Sequence, residues 1–440
     1  MKRIAVLLMT SLAMNAFAQD ELSEYDNLQN WRQNDKRGIN VFEDPKTDNE
    51  FTGMKVRVGG DFALQFQALS QDNLTMRDTA LAGQFGGQFP LDTLGADFNL
   101  PKANLNLDVQ LQDGVRMHLR TYLSARHHAE AWVKGGYLQI DKLDFIKEDF
   151  ASGLMEMLTV RVGMDEINYG DAHFRRTDNG RAIYNPFVGN YVMDAFTTEA
   201  FAEVLFRKSG LLAMAAISNG KLNQSVITNN KNNSPVTYFQ LGYDDQITDD
   251  FRLRITGSGY ISSGSHDNGT YLFNGDRGGS RYYKLLNGSD FEGRFTPRFR
   301  KYSAYQGAIF TKFKGLEFFG FYETVLGGDK AAKDQLNNGT YNQMAAEMVY
   351  RFGGTEQFYL AGRYNIVQGY DHAENNNTGT PQADDKEVHR WNAGGGWFMN
   401  KNVVTKVEYV SQRYTQNGWE GSIYQGASFD GIVVEAAISF

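Results

Sequence analysis

Hydrophobic and polar residues alternate with a period of two along most of the chain after residue 53. In the first such segment, Met54, Val56 and Val58 fall on one side, and Lys55 and Arg57 on the other. Because successive side chains of a β-strand point to opposite faces, this pattern predicts a strand with one apolar and one polar face. Sixteen such segments occur, at 54–69, 101–112, 115–126, 130–141, 156–164, 197–208, 211–219, 234–246, 250–262, 300–313, 316–327, 341–352, 357–368, 386–398, 403–414 and 429–440.

The connections between these segments alternate between short and long. Short turns such as Asp113-Gly114, Ser209-Gly210 and Lys314-Gly315 follow every second strand, and only the link from 142 to 155 breaks that rule. The other connections are polar and mostly longer, as at 165–196 and 263–299. A transmembrane β-barrel has this parity, with short periplasmic turns and long extracellular loops, whereas a soluble sandwich does not require it. We therefore predict an all-β, antiparallel transmembrane barrel of about sixteen strands.

Aromatic residues recur beside the short turns. A barrel in a membrane carries such residues at its interfaces, where they form a girdle. The last strand, GIVVEAAISF, places Ile432, Val434, Ala436, Ile438 and the terminal Phe440 on one face. The aromatic residues beside the turns are Phe206, Phe251, Phe313, Phe352, Phe358 and Trp397.

The N-terminal part of the chain divides into two further segments. Residues 1–18 begin with Lys2 and Arg3, continue with an apolar run and end in Ala16-Phe17-Ala18, which resembles a cleavage site. A cleaved secretory signal peptide has these three parts in this order. Residues 19–52 are polar and charged, without a sustained period, and cannot build a core of their own. We predict a periplasmic N-terminal arm there and the barrel over residues 53–440, and we expect the arm to be too small for a plug domain.

Composition excludes several classes of protein. The 440 residues contain no Cys, which removes disulfide scaffolds, thiolate metal sites and cysteine nucleophiles. Lys and Arg number 44 against 52 Asp and Glu, so nothing favours a nucleic-acid partner. The seven His residues show no His-x-x-x-His or His-Glu-x-x-His spacing, and no nucleophile stands out. We predict no enzymatic activity, no cofactor and no metal, with a calcium site in the loop 263–299 (Asp267, Asn268, Asn274 and Asp276) as the weaker alternative.

Taken together, the signal peptide, the sixteen segments, the loop parity and the C-terminal Phe440 make the chain resemble the porin superfamily of Gram-negative outer membranes. Within it, the chain is similar to the sixteen-stranded porins, of the general diffusion or phosphate-selective type. The resemblance implies an outer-membrane channel for passive diffusion of ions and small hydrophilic solutes, often a homotrimer. It also implies recognition of Phe440 by the barrel-assembly machinery and a third loop folded into the lumen. The charged arm before Met54 departs from the general porins.

The third long loop, at 165–196, combines many charged and aromatic residues. Its aromatic residues would be unusual in a freely solvated loop, which favours a constriction inside the barrel. Mixed charges on such a loop would create an electric field across the channel, and the loop would limit the size of solutes that pass. The same charges could instead keep an extracellular loop soluble. The charged residues that we assign to this constriction loop are Asp165, Glu166, Asp171, Arg175, Arg176, Asp178 and Arg181.

The polar faces of the strands carry the charge of the predicted lumen. Without Lys2 and Arg3 the mature chain has 42 basic and 52 acidic residues, a net charge of −10. The inward positions nevertheless hold fourteen basic and ten acidic residues, a wall charge near +4 that favours anions. These charges could instead pair across the wall and only hold its shape. The arginines that we predict to line the pore are Arg57, Arg116, Arg120, Arg161, Arg252, Arg254, Arg351 and Arg363.

Two other functions remain open from the sequence. A substrate-specific channel for oligosaccharides would use aromatic tracks on the inner wall, such as Tyr359, Phe319 and Phe321. A structural or secretion-associated barrel would use the arm to bind periplasmic partners.

Overall fold

A computed structural model shows sixteen antiparallel strands that close into a barrel. Each strand pairs with its sequence neighbours, and the last pairs with the first, from Asp61 opposite Ser439 to Asp72 opposite Ser428. The prediction of a sixteen-stranded barrel is confirmed. The structure describes residues 28–74, 80, 83, 91, 93–123, 131–176, 181–222, 235–262, 272–273, 293–297, 299, 301–328, 338–371, 374–375, 381–382 and 385–440.

The barrel strands are named here β1 to β16 in chain order. They are β1 Lys55–Asp72, β2 Asp97–Gln112, β3 Val115–Leu123, β4 Ala131–Ile140, β5 Leu158–Glu166, β6 Thr198–Lys208, β7 Leu211–Ser218, β8 Val236–Thr248, β9 Phe251–Ser262, β10 Lys301–Phe313, β11 Leu316–Gly328, β12 Asn338–Phe352, β13 Phe358–Tyr370, β14 Lys386–Asn400, β15 Val403–Thr415 and β16 Ser428–Ser439. Residues 374–375 and 381–382 form a separate small hairpin.

Helical structure is sparse in the described ranges. It includes single turns at Lys36–Gly38, Ser152–Met155, Ala172–Arg175 and Asn417–Trp419. None of the helices within those ranges has the length and hydropathy that a membrane crossing needs.

The outer face of the barrel is apolar and its aromatic residues collect near the short turns. Phe352, Phe358 and Trp397 stack in a row, with ring centroids 5.7 and 6.3 Å apart. Phe313 is exposed on the same side of the wall. Alternate residues point inward and are buried, so the packed interior of this protein lies in its lumen. The alternation in the sequence thus predicted both faces correctly.

The described part of the N-terminal arm, from residue 28 onward, contacts the inner wall at the end of the barrel that carries the short turns. That end is the one predicted to face the periplasm, and the periplasmic location of the arm stays a prediction. Leu28, Trp31 and Phe42 are buried there. Isolated apolar residues in a polar segment cannot form a core alone, yet they can join one that the barrel provides. The predicted signal peptide lies outside the described residues.

Candidate functional site

The third loop, between β5 and β6, folds into the lumen as predicted. Three of its backbone N–H groups donate hydrogen bonds to wall side chains on the opposite side of the barrel. Val188 donates to Glu408 at 2.6 Å, Val192 to Asn365 at 2.6 Å, and Met193 to Gln343 at 2.8 Å. Backbone groups buried in a protein need such partners, so these wall residues hold the path of the loop.

A glycine lets the loop approach the wall closely. Gly170 has a φ of +69°, and a Cβ atom there would lie 2.5 Å from Oε1 of Gln306. The next residue, Asp171, donates its backbone N–H to the same oxygen at 2.9 Å. The left-handed conformation and the close contact both require a residue without a side chain.

The charged residues of the loop bind charged residues of the wall. Asp171 accepts from Arg254 at 2.8 Å and also from Gln240 and Thr256. Arg175 donates to Glu347 at 2.6 Å.

The remaining charges at the loop pair among themselves or at its base. Asp165, the penultimate residue of β5, binds Arg120 at 2.9 Å. Arg176 binds Asp194 at 2.7 Å, and Glu166 binds Arg181 at 2.8 Å. Positive and negative groups therefore neutralise each other locally instead of facing one another across an open lumen. Asp178 lies outside the described residues.

All eight arginines that we predicted to line the pore lie on the inner face of the wall. Seven of them form an ion pair with a carboxylate on the wall or the loop, as in Arg252–Asp244, Arg351–Glu317 and Arg363–Glu347, each at 2.7 Å. Arg57 and Arg161 stack on Trp31 and Tyr137, with 4.2 and 4.0 Å from guanidinium carbon to ring centroid. Their part in permeation stays a prediction.

The arm adds further carboxylates to this inner surface. Glu43 binds Arg254 at 2.6 Å, and Asp44 binds Arg116 at 2.7 Å. Lys46 binds Asp141, at the end of β4, also at 2.6 Å. Three charged residues within four positions thus fix the arm to three different strand regions.

The arm also spans the mouth of the barrel. Gln29 donates to Asp113, in the turn between β2 and β3, at 2.8 Å. Farther along, Lys36 donates its backbone N–H to the Lys401 carbonyl in the turn between β14 and β15, at 2.8 Å. Asn40 then donates to Glu317 of β11 at 2.6 Å. Because these partners are spread around the circumference, the segment crosses the opening.

The arm and the third loop pack against each other in the lumen. Phe42 is 2% exposed and makes edge contacts with Phe174 of the loop and Phe310 of β10, at centroid distances of 5.6 and 5.3 Å. The guanidinium of Arg32 lies 4.0 Å above the ring of Tyr184. Tyr184 in turn donates its hydroxyl hydrogen to the Gln33 carbonyl. Loop and arm therefore form one inserted layer.

The surroundings of this layer shift the pKa of two arm residues. Desolvation lowers the pKa of the Arg32 guanidinium to about 10. For Asp44, desolvation would raise the pKa, but the nearby Arg116 and Arg161 outweigh it and leave the pKa below its usual value. Asp44 is therefore held as a carboxylate by the wall that it contacts.

A cavity of about 50 Å³ remains between the arm, the third loop and strands β4 to β6. Arg32, Arg161 and Glu203 are among its lining residues, and Arg161 lies 3.6 Å from Glu203. Basic and acidic side chains therefore face each other in this cavity.

Other candidate residues are not arranged as their hypotheses require. Phe319 and Phe321 lie on the inner wall, but Tyr191 of the third loop covers them, with its ring centroid 4.8 Å from that of Phe321. Tyr359 donates to the Pro186 carbonyl of the same loop at 3.0 Å. In the described part of the chain no group of three His, Asp or Glu residues is placed to hold a metal ion. The alternative calcium site lies outside that part.

Sequence reasoning missed the residues of the arm that enter the lumen. Phe42, Glu43 and Asp44 follow no hydrophobic period in the sequence. Their positions depend on contacts with residues that are distant along the chain. It also missed Asp194 as the partner of Arg176. The one available signal was the presence of Trp31 and Phe42 within an otherwise polar segment.

Comparisons with known proteins agree on the fold. No protein-family model matches the sequence, and no curated protein matches it. Outer-membrane expressed OmpT of Vibrio cholerae is similar in structure, with a TM-score of 0.50 and 10% identity over 89% of this chain and 99% of that chain. In-vitro folded OmpT of Vibrio cholerae in its trimer form has a TM-score of 0.50 and 9% identity, over 88% of this chain and 100% of that chain. The outer membrane channel DcaP of Acinetobacter baumannii has a TM-score of 0.49 and 12% identity, over 89% of this chain and 99% of that chain. The chain therefore has the fold of outer-membrane porins.

Proposed function

We propose that this chain is an outer-membrane porin, a channel for passive diffusion of ions and small hydrophilic solutes. The observation that carries the proposal is the closed wall of sixteen strands with an apolar outer face and a polar, charged inner face. A barrel of this strand number encloses a lumen wide enough for an aqueous channel. The proposal includes no catalytic activity.

In this proposal, the third loop and the arm together set the width of the channel. The loop binds strands β12 to β15, whereas the arm crosses the mouth on the side of the short turns. Neither segment is a strand of the wall, and their contacts with it are mainly through side chains, together with the backbone hydrogen bond from Lys36 to Lys401. Either can therefore be removed without opening the hydrogen-bonded wall, and each removal should widen the passage.

Anion preference is the finer part of the proposal. The inner wall has a basic excess, yet Glu43 and Asp44 of the arm and Asp171 of the loop bind Arg254 and Arg116. We infer that these inserted carboxylates reduce the attraction that the wall exerts on anions. The intact chain should prefer anions weakly, and the chain without its arm more strongly.

The assembly state is a second finer part. The solved OmpT structure in trimer form supports the proposal that this chain also forms a homotrimer. The exposed terminal Phe440 fits the proposed recognition by the assembly machinery, and the apolar outer band fits contact with lipid.

The structure does not favour the two alternative functions. An oligosaccharide channel needs exposed aromatic tracks, whereas Phe319, Phe321 and Tyr359 are covered by the third loop. A barrel that recruits periplasmic partners through its arm needs an accessible arm, whereas Leu28, Trp31 and Phe42 are buried in the lumen.

A planar-bilayer recording of the purified full-length chain tests the proposal. We expect stepwise ion conductance, together with vesicle swelling in small sugars and amino acids but not in large oligosaccharides. Conductance that saturates with one sugar would instead indicate a substrate-specific channel. Heat-resistant, folded barrels that insert without conducting would contradict the proposal.

A further inference from the structure

We propose that residues 142–157, the long turn between β4 and β5, form a membrane foot that lies in the inner-leaflet interface beside the barrel. The partner is the headgroup and upper acyl region of zwitterionic phospholipid. This inference rests on the membrane location in the proposed function and does not depend on conduction.

The foot exposes four large apolar side chains. Phe145 is 49% exposed, Ile146 60%, Phe150 44% and Leu154 52%. Three of them, at 146, 150 and 154, recur at every fourth position. Apolar groups clustered in this way on a surface that faces water are uncommon, and they usually mark an interaction site.

The backbone of the foot is hydrogen-bonded along its length. Ile146 donates its N–H to the Leu143 carbonyl at 2.9 Å, Phe150 to Lys147 at 3.0 Å, and Leu154 to Ala151 at 2.9 Å. Met155 is buried and its carbonyl accepts from Lys46 of the arm at 3.1 Å. These turns hold the exposed side chains in place relative to the barrel.

The apolar residues of the foot continue a surface that already faces lipid. The foot follows the outward Leu138 of β4 and precedes the outward Val162 of β5, which are paired in the wall. Elsewhere the wall ends in exposed aromatic residues, as at Phe313 and Trp397.

β4 and β5 themselves place no aromatic residue at this edge, and the nearest outward one is Phe206 of β6, opposite Leu158. The outward side chains nearest the foot are aliphatic, and Phe145 and Phe150 are the aromatic residues adjacent to them in the chain. Interfacial aromatic residues anchor membrane proteins at the headgroup level. The foot therefore adds aromatic residues to the girdle beside β4 and β5, next to Phe206. The aliphatic outward residues are Leu138, Ile140, Leu158 and Val160.

The charge of the foot selects the kind of lipid. It carries Asp144, Glu148, Asp149 and Glu156 against Lys142 and Lys147. Lys142 already binds Asp113 at 2.6 Å. An acidic excess repels anionic headgroups, so zwitterionic phospholipid is the favoured partner.

Because the chain has no cysteine, single-cysteine labelling tests the proposal directly. The variants F150C and I146C report on the foot, E148C on its charged side, and L360C on the exposed apolar outer face of the wall. Each is labelled with an environment-sensitive fluorophore and reconstituted into phosphatidylcholine vesicles. Fluorescence is then quenched either by nitroxide-labelled lipid or by aqueous iodide, and heat-resistant gel mobility confirms that each barrel is folded.

We expect labels at 150 and 146 to be quenched by the lipid nitroxide nearly as strongly as the label at 360. The label at 148 should respond mainly to iodide. Iodide quenching at 150 and 146 equal to that at 148 would overturn the proposal, and so would protection from both quenchers, which would indicate contact with a second copy. If the label at 360 also escapes the lipid quencher, the membrane location in the proposed function fails as well.

Discussion

At the scale of single residues, two neighbouring carboxylates attach the arm to the wall. The Arg254 side chain, bound by Glu43, is fully buried, and the Arg116 side chain, bound by Asp44, is 2% exposed. Each hydrogen bond between a charged pair of this kind contributes about 1.5–3 kcal/mol, and after its loss Arg254 keeps Asp171 and Arg116 keeps Asp108 as partners. Glu43 and Asp44 therefore contribute a large part of the free energy that holds the arm in the lumen.

The double substitution E43Q/D44N should release the arm and raise single-channel conductance in a planar bilayer. The matched control is D48N/E50Q, which changes two exposed carboxylates of the same arm. We expect the control to conduct like the unmodified chain. Equal conductance of all three chains would show that these ion pairs do not limit the passage.

Strongly acidic pH should weaken the contact between Asp44 and Arg116. The Asp44 pKa is lower in the docked arm than the usual value of about 3.9, because Arg116 and Arg161 outweigh the effect of its burial. Its contribution to docking is thus fully present above that usual value, and it is lost as the pH falls through the lowered pKa. Conductance should stay level from neutral pH to about pH 5 and rise only at strongly acidic pH. In D44N this acid-dependent rise should shrink, and an unchanged rise would assign it to other groups.

At the scale of elements, strands were predictable and inserted segments only partly so. The alternation at 54–69 and 429–440 fixed the faces of β1 and β16, because burial in a strand follows a local period. The aromatic residues of the third loop, such as Tyr184 and Tyr191, correctly indicated an inward path. The arm lacked any period, since its contacts with Arg116, Arg254 and Lys401 come from the tertiary structure.

Deletion of residues 169–184 with a Gly-Ser closure tests the role of the third loop. The barrel should still fold to a heat-resistant form, because the strand pairing of the wall does not involve these residues. Conductance and the size limit for sugars in vesicle swelling should both increase. A folded deletion variant with unchanged conductance would show that another segment sets the limit.

At the scale of the whole molecule, the charges of the inserted segments oppose those of the wall. Residues 20–47 contain seven acidic and four basic residues, so their removal changes the net charge by +3. In a salt gradient, the chain without these residues should show a stronger preference for chloride over potassium than the full chain. The difference should fade at high salt, because screening shortens the reach of the wall charges.

Reversing part of the wall charge provides the complementary test. In the chain without the arm, R116E/R120E/R161E changes the wall by −6 and should move the reversal potential toward cation preference. A reversal potential that does not move would show that the wall arginines act only as paired structural groups. The sequence predicted the inward position of these arginines, but their partners Asp44 and Asp165 became known only from the fold.

We propose a diffusion channel whose passage is limited by an inserted arm. The most direct measurement is the single-channel conductance of the full chain and of the chain without residues 20–47, in the same bilayer and salt. We predict stepwise conductance for both chains and a severalfold larger step for the deleted one. Folded, membrane-inserted barrels that conduct equally, or that do not conduct at all, would contradict this claim.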